Sequence, residues 1–151
     1  MSLVVAPAEG ETPPPATGSG PTPDPTSAAG GQGGGGWVGM SGSADSTLGF
    51  FRVDAAAGRL EFLGSQTLPS AGISDIAIRR DARVAATAHW DGRVRLWHAR
   101  KRAPLGVLRY HSKAAAAVAL GGARGGLLAT GGRDGAVAVW SVYATPQARD
   151  G

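Results

Sequence analysis

The sequence contains no cysteine and no asparagine. Without cysteine the chain can form no disulfide framework, no thiolate zinc site and no thiol nucleophile, and without asparagine it has no N-glycosylation acceptor. It also lacks the apolar run of about 18 residues that predicts a transmembrane helix, and its opening residues do not have the pattern of a secretory signal. We therefore expect a soluble protein of the cell interior, in the nucleus, the cytoplasm or both.

Glycine and proline are abundant but unevenly placed. Residues 1–36 hold nine of the 25 Gly and seven of the 10 Pro, with almost no large apolar side chains. Such a segment buries too little surface to offset the backbone entropy lost on folding. We predict that residues 1–36 are disordered, as a tail or as a loop insertion. Residues 144–151 are predicted to be a disordered carboxyl end.

Basic residues outnumber acidic ones, 15 to 11, and ten of them lie between Arg79 and Lys113, including the run Arg100–Arg102. A clustered basic surface would attract phosphates with a salt-dependent affinity. Arg93 and Arg95, however, alternate with apolar residues, as on the solvent face of a half-buried strand. The interleaved aromatic residues of a single-strand-binding platform are absent. A nucleic-acid-associated basic module is therefore the less favoured alternative.

From residue 37 onward the sequence repeats as short strands separated by tight turns. Trp97 lies 43 positions before Trp140, and Asp91 precedes Asp134 by the same interval. In both copies an apolar run is followed by a Gly-containing turn and then by a strand in which residue types alternate and which ends in Trp. This is the pattern of a β-hairpin. A period in the low forties that is closed by Trp predicts an all-β fold of the WD40 β-propeller type.

We divide the repeating region, residues 37–143, into one full and two partial blades. The full blade covers residues 68–110 and has four predicted strands. The partial blade at residues 37–63 lacks its first strand, and the partial blade at residues 111–143 lacks its fourth. About two and a half blades cannot close a ring and leave an open strand edge. A truncated propeller fragment with no independent function is therefore a second alternative.

The resemblance to WD40 repeats implies a buried hydrogen-bonded tetrad in each blade. Its members are a His before the first strand, a Ser or Thr in the second, an Asp in the turn and a Trp in the third, which satisfy one another when buried. In the last blade they are His111, Thr130, Asp134 and Trp140. The middle blade has Thr87, Asp91 and Trp97, with Pro69 where the His would stand, and the first has Ser41, Asp45 and Phe51. We expect these residues to hold the blades together.

The same polar residues do not predict a catalytic or metal site. Two sets could be combined as triads, namely His89, Asp91 and His98, or His111, Ser112 and Asp134. The G-x-S-x-G turn of a hydrolase nucleophile is nevertheless absent. Three His without Cys or paired carboxylates at ligand spacing do not predict a metal centre. We expect a non-catalytic protein with no cofactor, no metal and no small-molecule substrate.

Four stretches resemble one known family, namely Gly72–Asp75, Ala86–Asp91, Leu108–His111 and Val139–Tyr143. They are similar to the carboxy-terminal blades of the ASTRA-associated protein 1 family, also called guanine nucleotide-binding protein β-subunit-like protein. The similarity covers residues 68–143 and, more loosely, 37–63. It implies a seven-bladed propeller in protein complexes linked to chromatin and to the co-chaperone system that matures phosphatidylinositol-3-kinase-related kinases, with no implication of heterotrimeric G-protein signalling. The chain departs from the family pattern at His89, where a Gly is expected, and at its Pro/Gly-rich amino end.

We therefore predict a non-catalytic protein-interaction scaffold, with subunits of a co-chaperone or ASTRA-like complex as its partners. Neither a membrane nor a nucleic acid is the expected partner. The candidate interaction residues are Trp90 and Arg133, because each directly precedes a turn Asp and so stands at one rim of its blade. Aromatic and Arg side chains carry most of the energy of protein interfaces.

Overall fold

The computed structural model describes residues 2–7, 36–122 and 126–142. Within these ranges every regular element is a β-strand, and all paired strands run antiparallel. The strands are β1 Ser2–Pro7, β2 Trp37–Gly42, β3 Thr47–Asp54, β4 Arg59–Thr67, β5 Ile73–Ile78, β6 Val84–His89, β7 Arg93–His98, β8 Ala103–Arg109, β9 Ala115–Gly121, β10 Leu127–Gly132 and β11 Val137–Ser141. The prediction of an all-β fold is confirmed.

The strands form three sheets. Sheet 1 has the order β1-β2-β3-β4, sheet 2 the order β5-β6-β7-β8, and sheet 3 the order β11-β10-β9. Every residue of β6 is buried, whereas β3 and β10 contain both buried and more exposed residues. Sheet 2 is therefore covered on both faces, and sheets 1 and 3 pack on either side of it. The described part of the chain contains no helix long and apolar enough to span a membrane.

Two apolar layers separate the sheets. Large side chains fill the layer between sheets 1 and 2, where the rings of Phe50 and Trp97 meet edge to face with centroids 6.5 Å apart. Small side chains dominate the layer between sheets 2 and 3, where Ala86 and Ala88 of sheet 2 face Leu128 of sheet 3. Burying one large apolar side chain contributes roughly 1.5–3 kcal/mol. The two apolar layers thus hold sheets 1 and 3 against the two faces of sheet 2.

The turns before β7 and β11 have the same geometry. The N–H of Gly92 donates to the carbonyl of His89, and the N–H of Gly135 donates to the carbonyl of Gly132, both at 3.1 Å. Gly92 and Gly135 have φ of 78° and 80°. This left-handed conformation strains any residue with a Cβ, so glycine follows the turn Asp in both copies of the repeat.

Strand β1 corrects the prediction for the amino end. Ser2–Pro7 pairs with β2, from Ser2 opposite Gly42 to Pro7 opposite Trp37. The prediction of disorder over residues 1–36 is wrong for these six residues. The blade at residues 37–63 also has the first strand it was expected to lack. Composition misled us because it counts side-chain burial alone, whereas β1 gains backbone hydrogen bonds along the edge of β2.

Because β1 and β2 are neighbours in one sheet, residues 8–36 connect paired strands. The interpretation of the rest of this segment as a disordered tail or a loop insertion falls outside the described residues and stays a prediction. Residues 1, 8–35, 123–125 and 143–151 lie outside the described residues. The prediction of disorder at residues 144–151 and the end of the last predicted blade at Tyr143 therefore stay predictions.

Candidate functional site

In sheet 3 the structure brings the four predicted tetrad residues together. His111 lies in the loop before β9, and its Nε2 is 3.0 Å from the hydroxyl oxygen of Thr130 in β10. Its Nδ1 is 3.1 Å from a carboxylate oxygen of Asp134 in the following turn. Trp140 of β11 donates its indole N–H to the same Thr130 hydroxyl at 3.2 Å. The four side chains form one chain of hydrogen bonds that joins β10 and β11 to the loop before β9 and to the turn before β11.

Asp134 also fixes the backbone around this group. Its carboxylate accepts the N–H groups of Ser112 at 2.9 Å and Ala136 at 3.1 Å. Burial would raise the pKa of Asp134, but these two bonds and the one from His111 outweigh it and lower the pKa. Asp134 is therefore ionised at neutral pH, and it ties the loop before β9 to the turn before β11.

Gly132 leaves the room that His111 needs. A Cβ at this position would lie 2.3 Å from Nδ1 of His111 and 2.4 Å from a carboxylate oxygen of Asp134. Both distances are shorter than any real contact between such atoms. A tetrad whose His comes from the preceding loop therefore requires glycine at this place in β10.

Sheet 2 builds its group differently, with a histidine that the sequence prediction had not included. Trp97 donates its indole N–H to the hydroxyl of Thr87 at 2.9 Å, as predicted from the repeat. The Nε2 of His89 lies 2.7 Å from the same hydroxyl. His89 stands 43 positions before Gly132, so it occupies the equivalent place in β6. The side chain of His89 therefore occupies the space in sheet 2 that corresponds to the space of His111 in sheet 3.

His89 is completely buried, and its Nδ1 has no hydrogen-bond partner among the described residues. Burial, reinforced by the positive charge of Arg95, lowers the pKa of His89 to about 4. The imidazole is therefore neutral at physiological pH. The signal in the sequence is the His at a position where the repeat pattern has Gly.

Asp91 does not join Thr87 and Trp97, so the partial tetrad predicted for the middle blade separates into two groups. Its carboxylate accepts bonds from the hydroxyl of Ser70 at 2.7 Å and from Nη2 of Arg95 at 2.9 Å. The N–H of Arg93 donates to it at 3.0 Å. Burial would raise the pKa of Asp91, but the bonds from Arg95, Ser70 and Arg93 outweigh it and hold the pKa well below its usual range.

The expectation that Arg95 faces solvent is wrong, because only 6% of its side chain is exposed. The alternation of Arg and apolar residues in β7 did predict one buried and one exposed face. It could not show that β7 lies in the central sheet, which is covered on both sides. Arg95 is accommodated there because its charge is paired with Asp91.

In sheet 1 the predicted residues Ser41, Asp45 and Phe51 form no tetrad. The side chain of Phe51 has no N–H to donate, and its ring packs instead on Phe62 with centroids 5.3 Å apart. Asp45 accepts the N–H of Thr47 at 2.8 Å, and this bond, with one from Ser43, lowers its pKa. Ser41, Asp45, Phe51 and Phe62 line an open pocket of about 260 Å³. Part of sheet 1 therefore faces open space.

The tetrad of sheet 3 has the connectivity of a catalytic triad, from Thr130 through His111 to Asp134. The Thr130 hydroxyl, however, already accepts the Trp140 N–H, and Thr130 is 1% exposed. A substrate cannot reach a nucleophile buried in this way. Among the described residues, no group of three or more His, Cys, Asp or Glu side chains could hold a metal ion. The geometry supports a structural role for the polar groups.

The two candidate interaction residues lie at one end of sheets 2 and 3. Trp90 is 55% exposed, and Arg133 is exposed. The turn that holds Trp90 also holds Gly92, where a Cβ would lie 2.6 Å from the carbonyl oxygen of His111. The N–H of Arg133 donates to the carbonyl of Ala114 at 2.9 Å. Residues 90–93, 109–114 and Arg133 therefore form one continuous surface, which we call the rim surface.

Residues 61–98, which include all of β5, β6 and β7, match the family model described as WD domain, G-beta repeat. The chain carries a WD40 repeat. The crystal structure of the RRP9 WD40 repeats superposes on it with a TM-score of 0.60 at 19% identity, covering 70% of this chain and 32% of that one. At this identity the likeness shows the WD40 fold alone. WD40-repeat proteins are generally non-catalytic scaffolds, and the match to the repeat model supports a protein-interaction scaffold here.

Two curated relatives share more of the sequence. The guanine nucleotide-binding protein subunit beta-like protein 1 of Mus musculus is 39% identical over 108 residues, which cover 72% of this chain and 32% of the relative. The ASTRA-associated protein 1 of Schizosaccharomyces pombe is 36% identical over 72 residues, which cover 48% of this chain and 19% of the relative. The chain thus spans about a third or less of the length of these relatives.

Proposed function

We propose that this WD40-repeat chain is a non-catalytic scaffold that binds a partner protein through its rim surface. The observation that supports the proposal is a contrast between each turn Asp, which is bonded within the fold, and the residue directly before it, which is exposed. Asp91 and Asp134 are occupied by bonds within the fold. Trp90 and Arg133, one position earlier, are directed outward and remain available to a partner.

We further propose that the partners are subunits of an ASTRA-like or co-chaperone complex, linked to chromatin and to kinase maturation. The names of the relatives from Schizosaccharomyces and Pyricularia support this proposal, since each is called an ASTRA-associated protein. Such a complex would place the chain in the nucleus, the cytoplasm or both, and imaging of a fluorescent fusion tests that placement.

A tagged pull-down from native lysate, with mass spectrometry of the captured proteins, tests the proposed function. We expect co-chaperone subunits or a large kinase of the phosphatidylinositol-3-kinase-related type with the wild-type chain. Trp90→Ala should reduce their capture while the circular-dichroism spectrum stays unchanged. Phe62→Ala is the matched control, because Phe62 is 61% exposed in sheet 1, away from the rim. Capture of general heat-shock proteins alone would refute the proposal and favour a fragment without independent function.

Nucleic-acid binding through the basic run at residues 100–102 receives less support from the geometry. Arg102 donates to the carbonyl of Leu63, and Arg100 donates to the carbonyl of Asp81 at 3.3 Å. These guanidinium groups connect the turn between β7 and β8 to β4 and to the loop before β6, and so they are less available to phosphates. Affinity for an oligonucleotide that fell steeply with salt and was lost in an R100Q/K101Q/R102Q variant would reverse this preference.

A further inference from the structure

The rim surface carries a rigid aromatic platform. The N–H of Trp90 donates to the carbonyl of Gly72 at 3.0 Å. A Cβ on Gly72 would lie only 2.1 Å from Cδ2 of the indole, so one face of the ring rests directly on the Gly72 backbone. Gly72 has a φ of 87°, a conformation that favours glycine. The other face of the indole is open, and little rotamer freedom is lost when a ligand covers it.

Four cations share the rim surface with this platform, namely Arg93, Arg109, Lys113 and Arg133. Arg109, Lys113 and Arg133 are exposed, and 42% of the Arg93 side chain is exposed. None of the described carboxylates forms an ion pair with Arg109, Lys113 or Arg133. The two carboxylates of the rim, Asp91 and Asp134, are ionised and occupied within the fold. The rim surface is therefore left with unneutralised positive charge.

One pair of cations stands in an unfavourable arrangement. Arg93 of β7 lies directly opposite Arg109 of β8 in the strand register. Like charges at opposite positions of an antiparallel pair destabilise a sheet. Asp91 offsets part of this repulsion through a contact of 3.2 Å to Arg93. An anionic ligand across the two side chains would relieve the rest.

We propose that the rim surface binds an extended acidic segment of a partner protein. An aromatic or large apolar side chain of that segment covers the open face of Trp90, and its carboxylates pair with Arg109, Lys113 and Arg133. This inference rests on the proposed scaffold function and adds the chemistry of the partner. A protein segment fits better than a nucleic acid, because a peptide can place uncharged residues beside Asp91 and Asp134, whereas a nucleic acid carries a phosphate at every nucleotide, which these carboxylates repel.

Fluorescence anisotropy with labelled probes tests the proposal on the full chain. The main probe is a short peptide of alternating Asp and Glu with one central Phe. Three further probes are the same peptide with Asn and Gln in place of the acids, the same peptide with Ala in place of Phe, and a single-stranded DNA of equal charge. We expect the main probe to bind most tightly, and roughly tenfold or more above the uncharged peptide.

Charge-neutralising variants localise the binding. Lys113→Gln combined with Arg133→Gln should weaken the main probe by about tenfold or more, and so should Trp90→Leu. The matched control is Arg59→Gln combined with Lys101→Gln. This control removes the same amount of charge near turns at the ends of the strands away from the rim surface. We expect the affinity for the main probe to change by less than about twofold. Melting curves establish that each variant is folded.

Three results would overturn the inference. They are tighter binding of the DNA than of the main probe, equal losses in the rim and control variants, and no binding of the acidic peptide. The pull-down separates this failure from failure of the proposed function. If the K113Q/R133Q variant still captures every partner of the wild-type chain, the acidic-segment inference falls and the scaffold stands. If the wild-type chain captures no such partner, the scaffold itself falls.

Discussion

Sheets 2 and 3 carry the same repeat but stabilise it with different polar groups. Both join the indole N–H of a Trp to a Thr hydroxyl, at 2.9 Å in sheet 2 and 3.2 Å in sheet 3. In sheet 3 the imidazole at that hydroxyl comes from the loop before the sheet, and in sheet 2 it comes from within β6. Sheets 2 and 3 therefore both place an imidazole at this hydroxyl, and they take it from different parts of the chain.

The exchange of histidines changes what the turn Asp does. In sheet 3, Asp134 binds the loop histidine and the backbone of that loop. In sheet 2 no loop histidine links the turn Asp to the Thr, and Asp91 binds Ser70 and Arg95 instead. The same residue in the same turn thus anchors a loop histidine in one sheet and pairs with a buried guanidinium in the other.

The largest effect should come from removing the turn Asp of sheet 2. Asp91→Ala leaves the Arg95 guanidinium buried without its carboxylate, and loss of one partner of a buried ion pair costs about 3 kcal/mol or more. Asp134→Ala should destabilise less, because it leaves N–H groups and a histidine unsatisfied but no buried cation. Urea unfolding of the two variants measures the difference. Equal losses would mean that Arg95 does not depend on Asp91.

A second comparison tests the space behind the loop histidine. Gly132→Ala should cost about 2 kcal/mol, because its Cβ would collide with His111 and Asp134. Gly131→Ala is the matched control, since a Cβ on Gly131 meets nothing within 4 Å. Thermal melting of both variants decides the question. If Gly132→Ala melts with the control, His111 has room to move aside.

The third prediction concerns the histidine within β6. Its pKa is about 4 in the folded chain, against an ordinary value of 6.5. Between these values the unfolded chain binds a proton that the folded chain excludes, so the free energy of unfolding falls as the pH falls from about 6.5 towards 4. We expect the melting temperature of the wild type to drop across this window and His89→Gln to flatten the drop.

The pH range in which His89 affects stability differs from the range in which the carboxylates of Asp91 and Asp134 do. The pKa of Asp91 and of Asp134 is lowered from an ordinary value of 3.8, so their stabilising contributions are present above that pH and are lost only below it. A drop between pH 6.5 and 4 that persisted unchanged in His89→Gln would assign it to another group.

The smallest effect on stability should come from the rim. Trp90→Ala removes a side chain that is 55% exposed and lies outside both apolar layers, so the free energy of unfolding should change by less than about 1 kcal/mol. The partner capture described above should fall nevertheless. A large loss of stability would show that the indole mainly braces the Gly72 loop, and it would remove Trp90 as an interaction residue.

The repeat itself could be predicted from the sequence because it is local. The alternation of apolar residues sets the strands, the glycine after each turn Asp sets the hairpins, and the 43-residue interval aligns Thr87 with Thr130 and Trp97 with Trp140. The candidate interaction residues could also be proposed in this way, since a position beside a tight turn is exposed in most hairpins. Their partner stays a prediction.

Contacts between distant parts of the chain were decided by the tertiary structure alone. The pairing of β1 with β2 depends on the open edge of β2, and the paired residues of the two strands are 30 or more positions apart in the sequence. The burial of Arg95 depends on sheet 2 being covered on both faces, and the role of His89 depends on the absence of a loop histidine beside it. Periodicity within a strand determines which residues share a face, but only packing determines what lies against that face.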